Sequence, residues 1–225
     1  MAYQLIALAL TALWMVVVLI FFRKSVIALI AGLVIIGVFV FVGLAAKRLI
    51  PADLGLSPPR SWLQVLGYGG AGAVLAAVYS PLANRFAALL VKEPLNLEAF
   101  RPIRSSLAKL AAGIIFAWIF GGVLEEIVVR GIVLKSAVTL LGGWLVPPAA
   151  IGIAVVIAGT GAGVMHLYQG KRAVIIITQL SVLFGILFVI TGYNLWAVML
   201  CHALFDTIAF IKFARKPSGK TRDMR

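Results

Sequence analysis

Apolar runs long enough to cross a bilayer recur from one end of this chain to the other, and that sets its fold class. The first two are "LIALALTALWMVVVLIFF" and "VIALIAGLVIIGVFVFVGLAA". A helix needs ~20 such residues to traverse a ~30 Å hydrocarbon core. Of the 225 residues, 63% are hydrophobic and 12% are charged, with mean hydropathy +1.13. A soluble domain would carry about 25% charged residues. The expectation is an all-α polytopic membrane protein, a bundle of about seven transmembrane helices enclosing an intramembrane polar cavity. No stretch offers a second, soluble domain. The first run has no basic residues ahead of it and is too long for a signal peptide, so it reads as a retained span.

The spans are expected near residues 4–22, 26–46, 62–80, 110–133, 147–167, 173–191 and 194–211. Residues 1–46 supply two N-terminal helices, 47–211 the functional core, and 212–225 a basic, disordered tail. Pro51, Pro58 and Pro59 keep the connection 47–62 from being helical throughout. Residues 84–106 hold most of the mid-chain charge and are expected to lie partly as an amphipathic interfacial helix. Small-residue clusters such as "GYGGAGA" suit close helix packing in lipid. There is no internal repeat.

The net charge is +13, from 20 Lys and Arg against 7 Asp and Glu. No basic, aromatic-studded module could take nucleic acid, so the charge is assigned to anionic lipid. With seven spans, most Lys and Arg fall in the connections near residues 23, 85–109 and 171 and in the tail. That asymmetry places the C-terminus of this multi-pass chain in the cytoplasm and its N-terminus on the other side. Cys201 is the single cysteine, so no intramolecular disulfide exists. Its position beside His202 suggests small packing rather than a nucleophile. Trp62, Trp118, Trp144 and Trp196 read as interface or packing aromatics.

The stretch "GGVLEEIVVRG" is the exception to this apolar pattern. Glu125, Glu126 and Arg130 fall inside a span, as do Asp206 and both histidines, His166 and His202. Each intramembrane charge costs at least ~2.5–3.5 kcal/mol, so these side chains are expected to converge. On a helix, residues four apart share a face. Glu126 can therefore pair with Arg130, while Glu125 points about 100° away and stays free. His202 and Asp206, in "CHALFDT", are likewise four apart. A carboxylate to take a proton from water, histidines to orient that water or stabilise an oxyanion, and a dry cavity are the parts of a hydrolase.

E-E-x-x-x-R-G on one span, a histidine ending the next and H-x-x-x-[DN] on the last resemble the CPBP family, also called Abi or CAAX-protease-like. It includes the type II CAAX prenyl endopeptidases and bacteriocin-immunity-type proteins. "ITGYNLWAVMLCHALFDT" and "DLGLSPPRSW" are similar to further parts of that pattern, and the resemblance covers about residues 50–210. It implies an intramembrane endopeptidase acting on a membrane-embedded or lipid-anchored peptide or protein. Glu125 would be the general base, assisted by His166. Glu126 and Arg130 would support the site, and His202 and Asp206 would stabilise the oxyanion.

Two departures from the family pattern bear on this. Ala162 stands where the family has Phe, which predicts looser packing around His166. Asp206 stands where prenyl-endopeptidase members have Asn, and it would orient His202 or donate to an oxyanion only when protonated. His166 lies near a span's end, so a helix break at 159–163 is expected to tilt it inward.

The alternatives are a silent membrane scaffold or immunity-type protein that kept the fold, and a proton-coupled transporter using the same acids as a relay. A transporter would favour matched broken helices or inverted repeats, which the sequence lacks. Zinc on Glu125, His166 and His202 is conceivable, but H-E-x-x-H is absent, and metal-free glutamate catalysis is expected. Elemental analysis of active protein should therefore find no stoichiometric zinc. One zinc per chain, with activity lost to chelation and restored by zinc, would reverse that assignment.

Overall fold

The computed structural model describes residues 2–21 and 25–215. Among the described residues, seven helices are long and apolar enough to span a membrane: α1 (Ala2–Phe21), α2 (Val26–Ala45), α4 (Trp62–Leu90), one long helix over Leu107–Leu141, α7 (Pro147–Met165), α8 (Lys171–Ile190) and α9 (Leu195–Arg215). The protein is an all-α multi-pass membrane protein. The long helix begins as α5 (Leu107–Ala117), continues through π-helical turns over Trp118–Glu125 and Ile127–Leu134, and closes as α6 (Lys135–Leu141).

Local chemistry sets the ends of these helices. Ser25, Ser61 and Ser106 each accept a hydrogen bond from the backbone N–H three residues on, capping α2, α4 and α5. Proline opens α7, where the missing N–H costs nothing. In the connection after α2, Pro51–Leu54 make a single turn, α3, and Asp53 accepts from the Ile50 N–H at 3.0 Å. Gly55 ends that turn at φ 81, where a Cβ would stand 2.4 Å from the Tyr193 carbonyl. Its own carbonyl accepts from Leu195 N–H at 2.9 Å, tying this connection to the start of α9.

Several boundaries differ from the sequence reading, and the fourth span, expected at 110–133, runs from Leu107 to Leu141. α4 runs ten residues past residue 80, through Pro81, to Leu90, because the free carbonyls and missing N–H of one proline are tolerated within a long helix. Residues 84–90 are thus the last turns of a span rather than an interfacial helix. Of residues 91–106, only Glu98–Arg104 is helical, as a 3-10 segment. α9 continues to Arg215, so the expected tail begins inside a helix, and residues 216–225 lie outside the described residues.

α7 packs along α8, and α4 packs along both α8 and α9. In lipid there is no hydrophobic drive between helices, so small residues set how closely backbones approach. Gly159 and Gly163 of α7 face Val182 and Thr178 of α8. These glycines were expected to break the helix. Instead α7 is continuous to Met165, and the glycines make room for α8. α1 leans on α2 by the same means. The Trp14 and Tyr3 rings fill the space over Gly32 and Gly43. Tyr3 also donates to Phe39 O at 2.7 Å and stacks on its ring.

A Cβ on Gly163 would fall 2.1 Å from Thr178 Oγ1 and 2.6 Å from the Val174 carbonyl. Gly163→Val should therefore force α7 and α8 apart and lower stability by about 1–3 kcal/mol, read as a fall in melting temperature in detergent. Gly67→Val, which meets nothing within 4 Å, should leave it nearly unchanged.

Candidate active site

Gly121 and Gly122 explain how the first motif meets the third. A Cβ on Gly121 would stand 2.9 Å from Asp206 Oδ2 and 3.4 Å from His202 Nε2. A Cβ on Gly122 would stand 3.0 Å from that of Ala203. The missing side chains let α9 press against the long helix and bring His202 and Asp206 beside the glutamates. The π turns coincide with this contact. The Lys135 N–H reaches back to Arg130 O, five residues earlier, which is the wide-turn bond. Such segments concentrate at functional sites.

The two glutamates divide as their spacing predicts. Glu126 is fully buried, and Arg130 donates to its Oε1 at 3.0 Å. Arg130 also donates to Ser181 O at 2.8 Å and to Ser181 Oγ, and its guanidinium lies 5.7 Å from the Phe184 ring centre. His202 joins the same oxygen, with Nδ1 at 2.6 Å from Glu126 Oε1. The sequence reading missed this contact. It paired His202 with Asp206, four residues on. The structure leaves those two at 3.5 Å, too long for a good hydrogen bond. Glu126 therefore both balances Arg130 and fixes the His202 ring. With Nδ1–H donated to Glu126, Nε2 is the nitrogen left free.

Glu125 stands alone. It is 6% exposed and makes no side-chain hydrogen bond or ion pair among the described residues. It lines a cavity of about 400 Å3 together with Arg130, His166, His202 and Asp206. Glu126 was expected in that lining. It lies behind it, fully buried, with Arg130 and His202 between it and the cavity.

His166 is the C-terminal cap of α7, and its Nδ1–H donates to Ala162 O at 2.9 Å. A carbonyl does not depend on side-chain size, so Ala162 fixes the ring by its backbone. The loosening expected of an alanine there does not arise from this contact. No helix break is needed to bring His166 to the cavity. The cavity extends from Glu125 to the 95–100 stretch at the end of the bundle, and His166 meets it there.

Tyr168 is the residue that sequence reasoning passed over, though it stands two positions after His166 in "MHLYQG". It lines the cavity, and its ring lies over His166 with centroids 5.9 Å apart. Gln169 donates to its oxygen at 2.8 Å, so the phenolic hydrogen is left to point elsewhere. Burial pushes the Tyr168 phenol up to about 12, opposed by the Gln169 bond and aided by the charges of Glu125 and Asp206. It is therefore a standing O–H donor at neutral pH. Cys201 is buried, free and against Gly72, as packing requires.

Among the described residues, no group of three or more His, Cys, Asp or Glu side chains is placed to hold a metal ion. The zinc alternative on Glu125, His166 and His202 gains no support from this arrangement.

Residues 107–208 match the family described as Type II CAAX prenyl endopeptidase Rce1-like. No curated protein and no solved structure matches the chain.

Arg130→Ala would leave Glu126 buried with only His202 beside it. Breaking one side of a buried pair typically costs ~3–5 kcal/mol, so the variant should melt markedly lower in detergent and accumulate poorly. Glu126→Gln should fall between it and wild type, because the amide oxygen still accepts from Arg130.

Proposed function

From a Rce1-like CAAX-protease domain over residues 107–208, we propose that this chain is an intramembrane endopeptidase. It hydrolyses a peptide bond of a membrane-associated substrate with glutamate-activated water. The observation that carries this reading is the contrast within the glutamate pair. Glu126 is spent on Arg130 and His202, while Glu125 faces the cavity without a partner.

The chemistry follows from what each group has left to offer. A water bound between Glu125 and Nε2 of His166 gives its proton to the Glu125 carboxylate as its oxygen attacks the scissile carbonyl. His166 can accept from that water, because its proton sits on Nδ1. Negative charge then develops on the carbonyl oxygen. The Tyr168 hydroxyl is a donor for it, and Nε2 of His202, whose ring Glu126 holds, is a second once it carries a proton. Asp206 flanks Nε2 of His202 from the other side. Glu125 finally passes its proton to the leaving amine, and the peptide bond is broken.

The rest of the cavity wall suits a hydrophobic substrate. Leu29 and Leu33 of α2 and Phe116, Phe120 and Phe210 line it around the polar group. A peptide segment held in or near the membrane would bury apolar surface there while its backbone reaches Glu125. The cavity reaches the end of the bundle that carries His166, which the distribution of Lys and Arg assigns to the cytoplasm.

Glu125→Gln keeps size but cannot take a proton. It should reduce cleavage ~100- to 10,000-fold while the protein folds and melts as wild type. Comparing membrane and secreted peptides from cells bearing each form would reveal the substrate. Undiminished cleavage by Glu125→Gln sinks the reading and favours a scaffold. Tyr168→Phe keeps the ring over His166 and removes only the hydroxyl. It should lower kcat by ~100- to 1,000-fold with KM little changed, and an unchanged kcat would remove Tyr168 from the mechanism.

A further inference from the structure

A second cavity, about 620 Å3, lies in the bundle and plays no part in the proposed chemistry. It is bounded by the connection before α4 and the connection between α8 and α9. Each span reverses the chain, so both connections lie at the end opposite His166.

The lining of this cavity has one sign of charge. Arg60 and Lys135 contribute two cations, and among the described residues no acidic side chain lines it. Ser57, Ser61, Gln64 and Asn194 add hydroxyls and amides. Arg60 has no ion pair or side-chain hydrogen bond among the described residues. Lys135 Nζ donates to Ala52 O at 2.6 Å, which uses one of an ammonium's three donors. Asp53, whose charge acts on Lys135, is outside the lining and accepts from the Ile50 N–H.

Two long helices also begin at this cavity. Ser61 caps α4, and Asn194 accepts from the Ala197 N–H at the start of α9. Both helices therefore turn their positive ends toward it. An anion here meets donors and cations from three parts of the chain.

The surroundings set the depth. Trp62 and Trp196 pack edge to face at 5.8 Å beside the cavity, and Trp196 donates to Ser57 O at 3.2 Å. Tryptophans gather at the level of lipid headgroups. Next to the pair, Trp62 is 59% exposed, Leu66 59% and Ile190 64%. This apolar wall continues from the polar cavity into the region of acyl chains.

We propose that this cavity binds a phosphate-bearing anion, and that its source is the headgroup of an anionic phospholipid. The phosphate sits between Arg60, Lys135 and the two helix starts, and the acyl chains run down past Trp62 and Ile190. The site is separate from the general attraction of basic loops to anionic lipid at the cytoplasmic end. It stands whether or not Glu125 is catalytic.

The test is thermal unfolding and native mass spectrometry of the full chain in a neutral detergent. The protein is titrated with short-chain phosphatidylglycerol, with short-chain phosphatidylcholine, and with inorganic phosphate. Phosphatidylglycerol should raise the melting temperature and remain bound, the other two much less. Arg60→Gln and Lys135→Gln should each weaken phosphatidylglycerol about fivefold. Lys135→Arg should keep the effect, because the charge stays. Lys47→Gln/Arg48→Gln, at the same end but outside the lining, should also keep it. Arg60 is exposed, so its variant remains folded even if the Lys135 change does not. An equal response of wild type and Arg60→Gln overturns the site. An equal response to inorganic phosphate overturns the lipid as its source.

Discussion

Glu126 is a fully buried carboxylate, and much of the site is arranged around keeping it there. A bare carboxylate in this setting would neutralise or unfold its surroundings. Arg130 and the Nδ1–H of His202 converge on one of its oxygens. Arg130 is in turn held by Ser181 of α8, and His202 belongs to α9. The long helix, α8 and α9 are thereby locked together through polar contacts where lipid provides no hydrophobic force between helices. Phe184 lies against both the guanidinium and the imidazole, filling the apolar side of the same junction.

This lock explains the division of labour in the glutamate pair. The residue that looks equivalent in sequence, Glu125, differs only by its turn around the helix. That turn carries it out of the ion pair and into the cavity. A buried acid without a partner is costly, and such costs collect at functional sites. The supporting groups are held by backbone where side chains are small. The Ala162 carbonyl fixes His166, and the bare Cα of Gly121 admits Asp206 and His202. Substitution of a large family residue by alanine at 162 thus need not release the histidine.

The two ends of the bundle contrast in the same terms. The cavity that Glu125 lines is apolar-walled around a compact set of acids and histidines. The cavity at the other end is polar and carries only cations. Glu126 is balanced by contacts within the protein. Arg60 and Lys135 sit instead where an external anion could reach them.

The apolar runs by themselves determined a seven-span helical protein, because a bilayer leaves the backbone no other continuous choice in such segments. The spacing of Glu126 and Arg130 also determined their pairing, since four residues return a helix to one face. The residues expected to converge on grounds of membrane cost did so, apart from Glu126, which stands behind the cavity. Spacing could not supply contacts between helices. Asp206 looked like the partner of His202 because it is near in sequence, but Glu126, 76 residues away, holds the ring. The same limit hid Tyr168, whose value lies in its neighbours, and turned Gly159 and Gly163 from an expected break into a packing surface. Periodicity describes one helix at a time. Which helix faces which, and how closely, is decided by small residues and buried polar bonds that form only when the bundle closes.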